Sequence, residues 1–191
     1  MPDWLPTAYY TLDLALALAF PLAVWGLCRR GVLHARAWRL FWMGAALGLA
    51  WEVPIFALSA WTGQPVLHWP APLPAHPAVF IVAHSLWDGA LLLGGYGLAV
   101  LLERRIGRAP TSAPGLLVQV GWGQATELAV EISAIVAGTW VYLDNLAYNP
   151  VLFRVLDEPI TLGPQLVWVI APLVFAHLAM RSRTSTSLAD R

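Results

Sequence analysis

The feature that most constrains this chain is its succession of long apolar runs, several of which can cross a hydrocarbon core, a task of roughly 20 helical residues. Such runs are expected to be helical, because a helix satisfies its own backbone polar groups where water is absent. None of them alternates apolar and polar residues in the manner of a membrane β-strand. Composition agrees. Of the 191 residues, 59% are hydrophobic and 12% charged, too little charge to cover the surface of a soluble domain of this size. The expected fold class is all-α: a polytopic membrane protein built as a five-helix transmembrane bundle.

The expected spans run from Tyr9 to Cys28, Trp38 to Trp61, Ala78 to Leu102, Pro114 to Tyr142 and Ile160 to Met180. Pro65, Pro70, Pro72, Pro74 and Pro77 exclude a regular helix between the second and third. Pro114 suits a first helical turn. A polar segment, Asp144 to Pro159, precedes the last span. No internal repeat is visible, so residues 1–180 read as a single domain. The Ser/Thr/Arg-rich segment 181–191 reads as a disordered cytoplasmic tail.

Arginine placement sets the expected orientation. Arg29, Arg30, Arg36 and Arg39 flank the first connection, Arg104, Arg105 and Arg108 the third, and Arg181, Arg183 and Arg191 lie in the tail. Only Arg154 falls on the other side. The N-terminus is therefore expected outside and the C-terminus in the cytoplasm, the parity that five spans require. Trp4, Trp61, Trp69 and Trp140 fall near the outer boundary and Trp38 near the inner one, where indoles anchor to the interface. The first residues, Met1 to Pro6, hold no basic group ahead of the apolar run and do not resemble a cleaved signal peptide.

Several function classes are excluded. The formal net charge is zero and no basic stripe exists, so nucleic acid is not an expected partner. A single cysteine, Cys28, allows neither an internal disulfide nor a cysteine metal framework. The chain has no lysine, which removes Schiff-base chemistry such as retinal attachment. Richness in alanine, arginine, glycine and proline without lysine suits a GC-rich bacterial genome, and with it the bacterial inner membrane. Membrane lipids surround such a bundle, and a second copy of the chain is a candidate partner.

Ionisable groups within spans are costly and are functional candidates by default. Glu52 falls in span two, His84 and Asp88 in span three, and Glu127 and Glu131 in span four; Gln124 and Gln165 add neutral polar groups. At a rise of about 1.5 Å per residue, Glu52 lies roughly 13 Å below Trp61, His84 and Asp88 about 9 and 15 Å below Ala78, and Glu131 roughly 16 Å below Tyr142. These depths place the set in one layer of the outer half. His84 and Asp88 are i, i+4, and Gln124, Glu127 and Glu131 are i, i+3, i+7, so each set shares a helix face. A polar pocket walled by Trp51, Trp87, Trp122 and Trp168 is the economical arrangement. A structural alternative stands beside it, with His84–Asp88 as a hydrogen bond within one helix and Glu127 and Glu131 neutral and packed. Asp13 and Arg154, near span ends, read as interfacial. Asp157 and Glu158 read as acids suited to the N-terminus of the last helix.

Three chemistries fit that layer. Carboxylic acids in an apolar pocket can protonate an alkene while a second carboxylate removes a proton elsewhere, and indole faces stabilise the passing cation. This suits double-bond isomerisation or cyclisation of a sterol-like or isoprenoid lipid, with no cofactor. A metal site is the second, although only one histidine lies in the layer and no Glu-x-x-His pair is present. Lipid binding without turnover, or ion transport, is the third, although a five-span bundle lacking an inverted repeat is not a common transporter design.

The stretch Gln165-Leu-Val-Trp168-Val-Ile-Ala-Pro172 resembles the Asn-x-x-Trp-x-x-x-Pro segment of the sterol isomerases in the emopamil-binding protein and sigma-2 receptor (EXPERA-domain) group, with glutamine in place of asparagine. The arginine-rich approach to span two, its mid-helix Glu52, and Gly123-Gln124 followed by Glu127 are also similar. Glu52-Val-Pro54-Ile-Phe56 and His84-Ser-Leu resemble the sigma-2 receptor through a different helix pairing. The resemblance implies a bundle with a sterol-sized cavity and movement of a ring double bond by protonation and deprotonation. The family helix carries a His four residues from its Glu, whereas here Glu52 has no histidine on its helix, and His84 with Asp88 would supply the acid from the neighbouring span. On this reading Glu52, His84 and Asp88 protonate, Glu127 or Glu131 takes the proton, Gln165 orients a polar head group, and the tryptophans line the cavity.

Overall fold

The structure, a computed structural model, describes residues 2–62, 65–144 and 146–189, without the side chains of residues 56, 58–62 and 183–189. The Trp61 and Phe56 side chains and the end of the tail therefore lie outside the described residues. The chain is mostly helical. The described residues form five helices: α1 (Trp4–Arg29), α2 (Arg36–Thr62), α3 (Pro77–Ile106), α4 (Ala113–Ala137) and α5 (Leu162–Ala189). Three of them, α1, α3 and the Leu162–Ser182 part of α5, are long and apolar enough to cross a membrane. α2 and α4, of 27 and 25 residues, are comparably long. Their polar groups include Arg36, Arg39 and Glu52 in α2 and Gln119, Gln124, Glu127 and Glu131 in α4. Outward-facing Leu18, Leu22, Val82, Leu101, Leu117 and Ile170 are exposed on four of these helices, a surface suited to lipid rather than water.

Local sequence explains the helix ends. Pro77 and Pro114 occupy first-turn positions, and the His76 ring accepts the Ala78 N–H at 3.2 Å as a cap. Gly138, at φ 65°, stops α4 at Ala137, five residues before the expected boundary at Tyr142; a left-handed glycine cap ends a helix that apolarity alone would continue. Val141–Tyr142 instead form β2, antiparallel to β1 (Leu67–His68) from the proline-rich segment. The polar segment before α5 contains a hairpin, β3 (Val151–Val155) with β4 (Glu158–Thr161). Asp157 and Glu158 sit in that hairpin, with Asp157 at φ 67° in its turn. They are not helix-capping acids, since the first turn of α5 holds none. The apolar part of α5 ends at Ser182, and the helix continues through the polar residues to Ala189.

α3 is the central element and contacts each of the other four helices. Its closest neighbour is α2, through glycine. Gly44 and Gly48, one turn apart on α2, face Gly89 and Asp88 of α3; a Cβ on Gly89 would stand 2.7 Å from the Phe41 carbonyl oxygen. Small residues allow backbones to approach in this way. At the opposite face of the bundle Gly123 of α4 lies against Trp168 and Pro172 of α5. Arg36 at the start of α2 donates to the Ala179 carbonyl and to Ser182 Oγ on α5, so the arginine-bearing ends of these helices meet. α1 buries only Tyr10, Ala17 and Val24, one face at seven-residue spacing. Its Tyr10 hydroxyl donates to the Thr139 carbonyl oxygen, 2.9 Å away beyond α4.

Candidate functional site

A cavity of about 420 Å³ opens among the helices at the end closed by β1 and β2, within the range of roughly 300–1,000 Å³ for sites that hold small organic ligands. Four carboxylates line it, one each from α1, α2, α3 and α4: Asp13, Glu52, Asp88 and Glu127. His84 lines it too, and its ring links two of them. Nε2 lies 3.2 Å from Asp13 Oδ2, and Nδ1 lies 3.7 Å from Glu52 Oε2. An imidazole can carry a proton on either nitrogen or on both, so His84 can donate to Asp13 through Nε2 while its Nδ1 faces Glu52.

The spacing on each helix brings this about. His84 and Asp88 share a face of α3, yet they do not pair with each other as the local reading allowed. The His84 ring turns to α1 and α2, while the Asp88 side chain lies against Gly48, where a Cβ would come within 2.5 Å of Oδ2. Asp88 is buried, and its Oδ2 has no hydrogen-bond partner among the described residues. The Trp51 indole lies beside Asp88, and the Trp168 indole beside Glu127. These two indoles meet edge to face with centroids 6.3 Å apart. Trp87 lines the cavity, donates to the Asp13 carbonyl oxygen at 3.1 Å and packs edge-on against Phe20 at 4.7 Å. It thereby fixes the height of Asp13 against α3.

Other residues expected at the site stand behind it. Glu131 is buried one turn beyond Glu127, outside the cavity wall; its Oε2 accepts from Gln165 Nε2 at 2.7 Å. Gln165 is committed to that bond, and the Gln124 side chain donates to the Gln165 backbone oxygen at 2.8 Å. Neither glutamine lines the cavity. Trp122 also lies elsewhere: it packs on Gly94 and Gly95 of α3 and donates to the Leu91 carbonyl oxygen at 3.0 Å. Gly123, Gln124 and Gln165 thus form an α4–α5 seam that holds Trp168 and Glu131 in place.

Asp13 is the main site residue that sequence reasoning missed. It reads as interfacial if the first span starts at Tyr9. The helix starts at Trp4, which puts Asp13 in its third turn, where a carboxylate in an apolar run needs a partner. Trp69 and Trp140, read as boundary anchors, also line the cavity, as do Tyr9 and Ser133. Asp144 and Arg154 form an exposed pair at 2.7 Å on the hairpin side, and that hydrogen bond holds the Asp144 carboxyl below the usual range.

Among the described residues no group of three or more His, Cys, Asp or Glu side chains is arranged to hold a metal ion. The cavity offers ionisable proton donors and acceptors from four helices in a wall that is otherwise mostly aromatic and aliphatic. Compared with protein-family models, with curated proteins and with solved structures, the chain gives no match.

Proposed function

We propose that this chain is an intramembrane isomerase that moves a double bond of a sterol-like or isoprenoid lipid through a carbocation. One observation carries the reading: one cavity, walled mostly by aromatic and aliphatic side chains, is lined by Asp13, Glu52, His84, Asp88 and Glu127 from four helices. Glu52 as the acid gives its proton to one alkene carbon. Positive charge develops at the other carbon, faced by Trp51 and Trp168. Glu127 as the base removes a proton from the next carbon, and the electrons of that C–H bond form the new double bond. The lipid keeps its composition. Asp88 and His84 hold protons of the same pool, and its exchange with solvent returns a proton to Glu52 and takes one from Glu127 after each turnover.

All five helices span the bilayer on this proposal, with the N-terminus outside and the C-terminus in the cytoplasm of a bacterial cell. Support comes from the contact between Arg36 on α2 and Ala179 on α5, which gathers the arginine-rich ends on one side, as the positive-inside rule requires.

The test is to purify the protein in detergent, identify the co-purifying lipid by mass spectrometry, and incubate it in heavy water. Deuterium entering the product, and lost in Glu52→Gln and Asp88→Asn, supports the isomerase. Stoichiometric binding with no exchange overturns it in favour of a lipid-binding protein.

A further inference from the structure

Toward the strand-covered end the cavity has a second polar spot, separate from the carboxylates. Tyr9 sits one turn before Asp13 on the same face of α1, about 6 Å along the axis. Ser133 lies six residues past Glu127 on α4, about 9 Å along that helix. Trp140 follows the Gly138 turn. All three line the cavity, and the Tyr9 hydroxyl lies beside both Ser133 and Trp140. Ser133 Oγ already donates to the Val130 carbonyl oxygen at 2.8 Å, so toward Tyr9 it is an acceptor. Trp140 is 7% exposed, and its indole N–H lies beside the Tyr9 hydroxyl but makes no formed hydrogen bond among the described residues. A buried donor gains from an acceptor that reaches it. The spot therefore combines a hydroxyl that both gives and accepts with a neighbouring donor that an entering oxygen can satisfy.

Charge narrows the ligand further. No arginine lines the cavity, and the chain has no lysine. Four carboxylates line it. A phosphate or carboxylate head group would meet these four carboxylates, and the one imidazole there, His84, already faces two of them. We infer that Tyr9, with Ser133 and Trp140, is a subsite for the single neutral oxygen of a lipid alcohol, held with its reacting double bond about 6–9 Å away at the level of the acids. This rests on the isomerase reading for what happens at the double bond, and on the cavity alone for the binding of the oxygen.

The probes are tritiated cholesterol and its 3-deoxy analogue cholest-5-ene, and tritiated geranylgeraniol and its diphosphate, bound to the full chain in detergent. At least one alcohol should bind about tenfold tighter than its oxygen-free or anionic counterpart. In Tyr9→Phe the alcohol should lose that advantage while the affinity for cholest-5-ene stays unchanged, which also shows that the variant is folded. The subsite is overturned if neither alcohol binds, if the diphosphate binds as tightly as geranylgeraniol, or if Tyr9→Phe leaves the ratios intact. A Tyr9-dependent preference without deuterium exchange sinks the isomerase and leaves the subsite standing. Exchange with unaltered ratios does the reverse.

Discussion

The imidazole of His84 stands between carboxylates from two other helices, with Asp13 Oδ2 at 3.2 Å from Nε2 and Glu52 Oε2 at 3.7 Å from Nδ1. On the isomerase reading the three side chains act as one proton-carrying unit, so substituting any member should disable the others. Asp13→Asn, Glu52→Gln and His84→Gln should each reduce deuterium incorporation by about 100-fold or more. The Asp13→Asn/Glu52→Gln double variant should be little worse than either alone. Product formation rates in heavy water measure this, and independent, multiplying losses would show that His84 does not couple the two acids.

Gln165 should behave as a support for Glu131 and not as a contact to lipid. Gln165→Leu removes the donor to a carboxyl that is 1% exposed, and should cost about 1–3 kcal/mol of stability. Lipid affinity should stay within about twofold, because Gln165 does not line the cavity. Thermal unfolding in detergent and a lipid titration on the same sample separate the two effects.

The α2–α3 crossing should tolerate no side chain at Gly89. Its Cβ would fall 2.7 Å from the Phe41 carbonyl oxygen and 3.1 Å from the Ala45 nitrogen, both backbone atoms that cannot swing aside. Gly89→Ala should destabilise by about 1–3 kcal/mol. Gly97 on the same helix has nothing within 4 Å of a Cβ, so Gly97→Ala should be neutral or stabilising by up to about 1 kcal/mol. Paired melting curves of the two variants decide it.

The Asp144–Arg154 pair sets a pH dependence of known sign. The folded carboxyl titrates below its unfolded value because Arg154 donates to it. Its contribution is therefore complete above the unfolded pKa and is lost as pH falls through the folded one. Arg154→Gln should lower stability by a small, constant amount from pH 5 to pH 8, as for other exposed pairs. The difference should vanish under strongly acid conditions. Melting temperatures across that range, and the Asp144 carboxyl shift by NMR, test it.

The helices were legible because apolar run length and proline position are local properties. Pro77 and Pro114 mark starts that the structure keeps to within a residue. The end of α4 was not, since Val141 and Tyr142 extend the apolar run and only the backbone at Gly138 turns it away. Of the five groups whose depths and faces suggested one layer, Glu52, His84, Asp88 and Glu127 share the cavity, whereas Glu131 stands behind it on Gln165. Periodicity shows which face a residue occupies on its own helix, but it does not show which neighbour that face meets. For that reason Trp122 and Gln165, expected to line the pocket, fill helix seams instead, and Asp13 waited on the true start of α1.

The thin packing of α1 bears on how the protein is made. Its Asp13 has no partner within its own helix; the histidine it bonds lies 71 residues later, on α3. α1 is made before α3, so it carries a carboxyl that His84 can satisfy only after two more helices have followed it. Insertion of α1 should depend on a proton taken up or on the translocon's polar lining until His84 arrives. A variant lacking that acid should enter the membrane more readily while losing the cue that docks its first helix onto the rest.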